Sequence, residues 1–287
     1  MRQLFSLEWE LIKKRHIIEL TVIVALIIAL LYQVVYYSNA IVSSEIGDFI
    51  NTFFFQDGDK AVFLYFLLVF LPIFSASFYS WHAIDDRKSI MNLGIRTNKK
   101  NILYAKLIIN FIVGFIFCFV LISSIAIFTL LILWNKTGDY NFLNVGRLSA
   151  DTIMQFGAKS DIASTTLGYL FFRNPYLYYF IYILILSIYS GIQSVIATLF
   201  AYFTNKKIVV ILSAFAIHYI IGGAFVQLVL PFPLNDYSVF EILAPITSAY
   251  DSSYIPYIGI GYLIIILVAI IITVNYICKD DYLYGKS

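Results

Sequence analysis

Six runs of hydrophobic residues, each long enough to cross a bilayer and each nearly free of charge, dictate what this chain can fold into. They fall at about 17–37, 61–83, 103–134, 176–203, 208–230 and 256–278. A hydrocarbon layer about 30 Å thick is crossed by ~20 helical residues. Within it every backbone N–H and C=O must find a partner inside the protein, which leaves helices as the solution for runs of this kind. Composition agrees: the chain is 61% hydrophobic and 13% charged, with a mean hydropathy of +0.86, where soluble domains carry about 25% charged residues. The expected fold is an all-α integral membrane protein with six transmembrane helices, one domain over residues 1–287.

Local signals refine the runs. Residues 2–15 place Leu4, Phe5, Trp9 and Ile12 on one helical face, with Lys13, Lys14 and Arg15 following. This is the pattern of an amphipathic helix lying in the membrane interface. The first run is too long for a signal-peptide core and reads as a retained span. Its Glu19 sits near the edge, where the carboxylate can reach headgroups. Pro72 should kink the second run by removing a backbone hydrogen bond. The third run exceeds what a bilayer needs, so its start should project into the cytoplasm. Asn174-Pro175 opens the fourth as a cap followed by proline at the first helical position.

Charge sets the orientation. With the N-terminus inside, residues 1–16, 84–106, 204–207 and 279–287 hold fourteen of the nineteen Lys and Arg residues. The opposite loops, 38–60, 135–175 and 231–255, hold five, together with ten of the seventeen acidic residues. The positive-inside rule therefore predicts cytoplasmic termini. Two short apolar-periodic stretches, near 147–156 and 162–172, predict a small outer cap.

Sites for chemistry are scarce. No phosphate-binding G-x-x-x-x-G-K-[ST] loop, H-E-x-x-H or paired-cysteine motif occurs. Cys118 and Cys278 are read as apolar packing residues. His16 and His82 lie at run ends; His218 sits mid-run and is read as a neutral packing histidine. Ion-coupled carriers place charged side chains at membrane depth, and these runs hold essentially none, so energy for any transport must come from elsewhere. In the fourth run, Ser187, Ser190, Gly191, Ser194 and Ala197 form a small-residue stripe that permits close helix approach.

The stretch from Asp85 to Lys106 stands apart. It holds six of the nineteen basic residues, between two membrane-length runs, around a short mixed-polarity helix candidate at 88–95. It reads Asp86-Arg87-Lys88-Ser89-Ile90-Met91-Asn92-Leu93-Gly94-Ile95-Arg96, with Lys106 leading into the third run. The acid–base start, apolar centre, second basic turn and final lysine resemble the segment after the second span in permease subunits of type-2 ATP-binding-cassette exporters. The glycine–threonine pair and the proline of that family pattern are absent. Glu241-Ile242-Leu243-Ala244-Pro245-Ile246-Thr247-Ser248-Ala249-Tyr250 is similar to the family's segment before the last span. The N-terminal amphipathic helix and six spans complete the likeness, which covers nearly the whole chain.

The resemblance implies a short cytoplasmic coupling helix between spans two and three. Arg87, Lys88, Ser89, Ile90, Met91, Asn92, Leu93 and Ile95 would dock a separate ATPase subunit. That partner, not this chain, would bind ATP and Mg, and a second permease copy, identical or homologous, would complete the pair. A substrate pathway along spans two and five would involve Ser75, Ser77, Ser80, Ser213, His218 and Gln227. The resemblance implies no catalytic residue, metal, cofactor or nucleic acid in this chain. The expected setting is a bacterial plasma membrane, and the expected cargo an amphipathic or hydrophobic peptide, drug or lipid, with antimicrobial-peptide export as one case. Two rivals are a membrane enzyme acting on a lipid-linked substrate under the 140–173 cap, and a membrane sensor or scaffold.

Overall fold

The computed structural model describes residues 6, 9, 10, 24, 28, 80, 82–85, 99–137, 174–217 and 255–279. Their regular structure is helical throughout: α1 (His82–Asp85), α2 (Lys99–Thr137), α3 (Pro175–Phe200), α4 (Lys207–Ala216) and α5 (Ile255–Lys279). Among the described residues, three segments are long and apolar enough to cross a membrane: Lys100–Ser124, Phe180–Phe200 and Tyr257–Lys279. They correspond to the third, fourth and sixth runs. α4 is the start of the fifth run, and α1 with Ser80 is the end of the second. Val24 and Ile28 in the first run, and Ser6, Trp9 and Glu10 in the N-terminal segment, are helical and exposed.

α2 has 39 residues, about 58 Å at 1.5 Å per residue, nearly twice the ~30 Å hydrocarbon thickness. α3 begins as its sequence signals. Asn174 is extended (φ −155°, ψ 90°), its side-chain oxygen accepts the Leu177 N–H at 3.1 Å, and Pro175 occupies the first turn. The helix ends by tightening, with Tyr202 N–H donating to Leu199 O and Phe203 N–H to Phe200 O, both at 3.0 Å. Residues 201–206 then turn the chain into α4, and Ala197 and Ala201 share one buried cluster with Ala83, Val210 and Ala214.

Hydroxyls within the spans mostly return to their own helix. Ser187 donates to Ile183 O at 2.6 Å, Ser124 to Val120 O at 2.7 Å and Thr273 to Ala269 O at 2.7 Å. Lipid offers these groups no water, so the carbonyl one turn back is the nearest acceptor.

α2 and α3 form the centre of the described structure and run antiparallel. Asn110 meets Thr198, Gly114 meets Ser190 and Ser194, and Phe119 meets Phe180. Phe111, Phe115 and Phe119 stack one turn apart along α2 (6.3 and 6.0 Å between centroids), and Phe119 ends edge-on against Phe180 at 6.5 Å.

α5 joins this pair near its C-terminal end. Val274 and Ile277 are buried with Ile102, Leu103, Leu199 and Tyr202. Tyr276 stacks on Phe203 at 6.3 Å between centroids, and Lys100 Nζ donates to Asn275 Oδ1 at 3.0 Å. Farther up the helix Ile260, Ile264, Ile265 and Ile272 are exposed, a surface suited to lipid tails. The two clusters bring the start of α2, the α3–α4 turn, the end of α5 and α1 to one end of the bundle. These are the flanks of segments that the charge count assigns to a common side.

Candidate functional site

The buried polar groups of the described structure concentrate where α3 crosses α2 and the end of the second run. The crossing is close because it is built from glycines and small side chains. A Cβ added at Gly114 would lie 2.9 Å from Ser194 Cβ and 3.0 Å from Ser190 O. One added at Gly191 would lie 2.7 Å from two carbons of the Phe111 ring and 2.9 Å from Phe111 O. At that separation Ser190 Oγ reaches across and donates to Gly114 O at 3.1 Å. The stripe expected on the fourth run thus packs against α2, its small residues letting the two backbones approach. Cys118, buried one turn above Gly114, faces the hydroxyls of Ser187 and Ser190.

One turn below, three helical segments share a hydrogen-bond chain. Asn110 Nδ2 donates to Thr198 Oγ1. Thr198 Oγ1 lies 3.0 Å from Ser80 Oγ and 2.8 Å from Ser194 O, and Ser80 Oγ donates to Ser194 O at 3.1 Å. Each hydroxyl has one proton to give. If Ser80 gives its proton to Ser194 O, the Thr198 proton is best used on Ser80 Oγ, since Ser194 O also serves the helical ladder. Every link is then satisfied in one direction: Asn110 to Thr198 to Ser80 to the Ser194 carbonyl. Such chains polarise one another and strengthen in a low-dielectric interior. Ser80, Asn110, Ser194 and Thr198 are all within 1% of full burial, so the chain is shielded from solvent competition.

Its members are neutral, so this site positions groups and offers no acid–base pair or nucleophile–base pair. Three buried polar atoms beside it, Asn110 Oδ1, Ser194 Oγ and Gln193 Oε1, have no hydrogen-bond partner among the described residues. Among the described residues no grouping of His, Cys, Asp and Glu is suited to a metal ion.

Of the residues expected to line a substrate pathway, the structure places two. Ser80 is fully buried in the relay, and Ser213 is buried with its hydroxyl returned to Val210 O at 2.7 Å. No hydrogen bond joins them to each other. Ser75, Ser77, His218 and Gln227, and the expected docking residues Arg87, Lys88, Ser89, Ile90, Met91, Asn92, Leu93 and Ile95, lie outside the described residues. Lys106, the lysine that leads into the third run, is 2% exposed, one turn from Asn110. α2 packs along its first turns against α3 and α5, so a side chain there that faces inward cannot reach the surface.

Sequence reasoning passed over Asn110 and Thr198. Both carried a signal: Asn110 is a lone amide inside an apolar run, and Thr198 continues the small-residue stripe by one turn beyond Ser194.

The class that follows from these features is an α-helical membrane protein, with three described bilayer-length apolar helices and a polar joint at one end of their bundle. Comparison of the chain with family models, curated proteins and solved structures finds no match.

Proposed function

We propose that this chain is the membrane-spanning permease subunit of an ATP-driven exporter of the type-2 ATP-binding-cassette kind. Six crossings with both termini in the cytoplasm, in a bacterial plasma membrane, carry an amphipathic or hydrophobic cargo outward. A second permease copy completes the path, and a separate ATPase subunit supplies the energy. The chain itself contributes no catalytic residue and no nucleotide site.

The observation that supports this reading best is the setting of the charged stretch after Asp85. Its two flanks, α1 with Ser80 on one side and α2 on the other, pack on the same few turns of α3. A short docking helix hung between two such anchored ends acts as a lever, converting movement of a bound partner into a tilt of the spans. The charge-poor spans and the missing phosphate loop give the chain a need for an energised partner.

Co-purification tests the reading. Affinity-tagged chain, extracted in mild detergent from its native cells, should carry a stoichiometric ATPase. Met91→Asp or Leu93→Asp, each placing a carboxylate in the apolar centre of the docking segment, should release it. An ATPase that stays bound through both substitutions, or none with the unaltered chain, refutes the proposal.

A further inference from the structure

The hydroxyl relay joins elements that the sequence separates by a docking segment. Ser80 precedes that segment and Asn110 follows it, yet both bond to one residue of α3, Thr198. Ser80 reaches the Ser194 carbonyl as well, while Asn110 is tied to α3 through the Thr198 side chain, and the Thr198 oxygen is the atom at which both flanks meet. Beside these bonds, Ala83 at the end of the second run is buried with Ala197 and Ala201 of α3, small side chains that slide more readily than they lock.

We infer that Thr198 is a positioning residue for the coupling proposed above. Through its hydroxyl, the end of the second run is held to the α2–α3 pair as one body. A displacement delivered to the segment between the flanks then reaches the α2–α3 pair without slack. Removing the hydroxyl cuts the chain in two places at once, because Thr198 both accepts from Asn110 and donates onward. Ser80 keeps its bond to Ser194 O but loses its link through Thr198 to Asn110. The inference rests on the exporter reading for its consequence and on the described geometry for its mechanism, and the two fail separately.

The test uses the full chain carrying Cys118→Ala and Cys278→Ala, with spin labels at His82→Cys and Asn205→Cys. These positions report the end of the second run against the α3–α4 turn. A second labelled pair, Ile127→Cys and Leu177→Cys, lies on exposed positions of α2 and α3 and reports whether the helix pair as a whole is intact. Pulsed dipolar spectroscopy should give a narrow 82–205 distance distribution in the parent. Thr198→Val, matched in shape, should raise the detached population about fivefold, the weight of one net hydrogen bond. Thr198→Ser, which restores the hydroxyl, should return the narrow distribution, while the 127–177 distances stay unchanged in all three.

In the complex with its co-purified ATPase, adding ATP and Mg should leave the 82–205 distance fixed in the parent and change it in Thr198→Val. An unchanged 82–205 distribution in Thr198→Val, a failure of Thr198→Ser to restore it, or equal broadening of the 127–177 pair overturns the role assigned to Thr198. If no ATPase accompanies the parent chain, the exporter reading falls, and the measurements on the chain alone still decide the joint.

Discussion

Adding one methyl group at Gly191 tests the close approach on which the α2–α3 pair depends. In Gly191→Ala the new Cβ meets two Phe111 ring carbons at 2.7 Å and the Phe111 carbonyl oxygen at 2.9 Å, against ordinary carbon contacts of about 3.5–4.0 Å. The ring could turn, but it is stacked on Phe115, and the carbonyl belongs to the α2 backbone. The helices must therefore part by some tenths of an ångström. Parting them also lengthens the Ser190–Gly114 bond, already 3.1 Å. Overpacking of this kind costs about 1–3 kcal/mol, offset by up to ~1 kcal/mol from the better helix propensity of alanine. The expected net loss is about 1–2 kcal/mol.

Gly114→Ala should behave alike, since its Cβ meets Ser194 Cβ at 2.9 Å and Ser190 O at 3.0 Å. The double variant should lose less than the sum, because one separation relieves both clashes. Gly261→Ala is the internal contrast: nothing lies within 4 Å of its Cβ, so only the propensity gain of up to ~1 kcal/mol remains. Unfolding in mixed micelles, by SDS titration followed through far-ultraviolet circular dichroism, measures all four variants. Should Gly191→Ala and Gly114→Ala gain stability as Gly261→Ala does, the glycine contact between α2 and α3 is refuted.

Two further outcomes follow from the same geometry. Gln193 is buried with its carbonyl oxygen unpartnered, and such a group costs about 1–3 kcal/mol; Gln193→Leu should therefore raise the unfolding midpoint, and a lowered midpoint would show that the amide is satisfied in the folded protein. Asn174→Ala removes the side-chain acceptor for Leu177 N–H and should cost about 0.5–2 kcal/mol, with Asn174→Asp or Asn174→Ser retaining most of it; equal stability of all three would remove the cap from the account of how α3 starts.

The legible part of this protein was whatever depends on one segment at a time. Length and apolarity placed the runs that became α2, α3 and α5, and Asn174-Pro175 placed the start of α3 within a residue. The small-residue stripe on the fourth run marked the face of α3 that packs. What the stripe did not reveal was its counterpart, Gly114 and Phe111 on α2, because periodicity identifies a face and not the element opposite it. Ser80 illustrates the same gap. As a serine in a span it suited a pathway as well as a helix contact, and its burial against Ser194 and Thr198 is a fact about three segments together.

For the third, fourth and sixth runs, sequence by itself determined that they make apolar helices of membrane length and where α3 begins, and it grouped flanks that the structure brings to one end of the bundle. The tertiary structure alone decided which helix is central. α3 is buried through most of its span and α5 through almost none of it, although both are apolar throughout. The reason is that lipid tails and a protein interior are nearly the same solvent for Leu, Ile and Phe, so hydropathy does not separate a helix that faces lipid from one that faces protein. Only the close fit at Gly114 and Gly191, and polar atoms such as Asn110 and Thr198 that must find each other, distinguish the two surroundings.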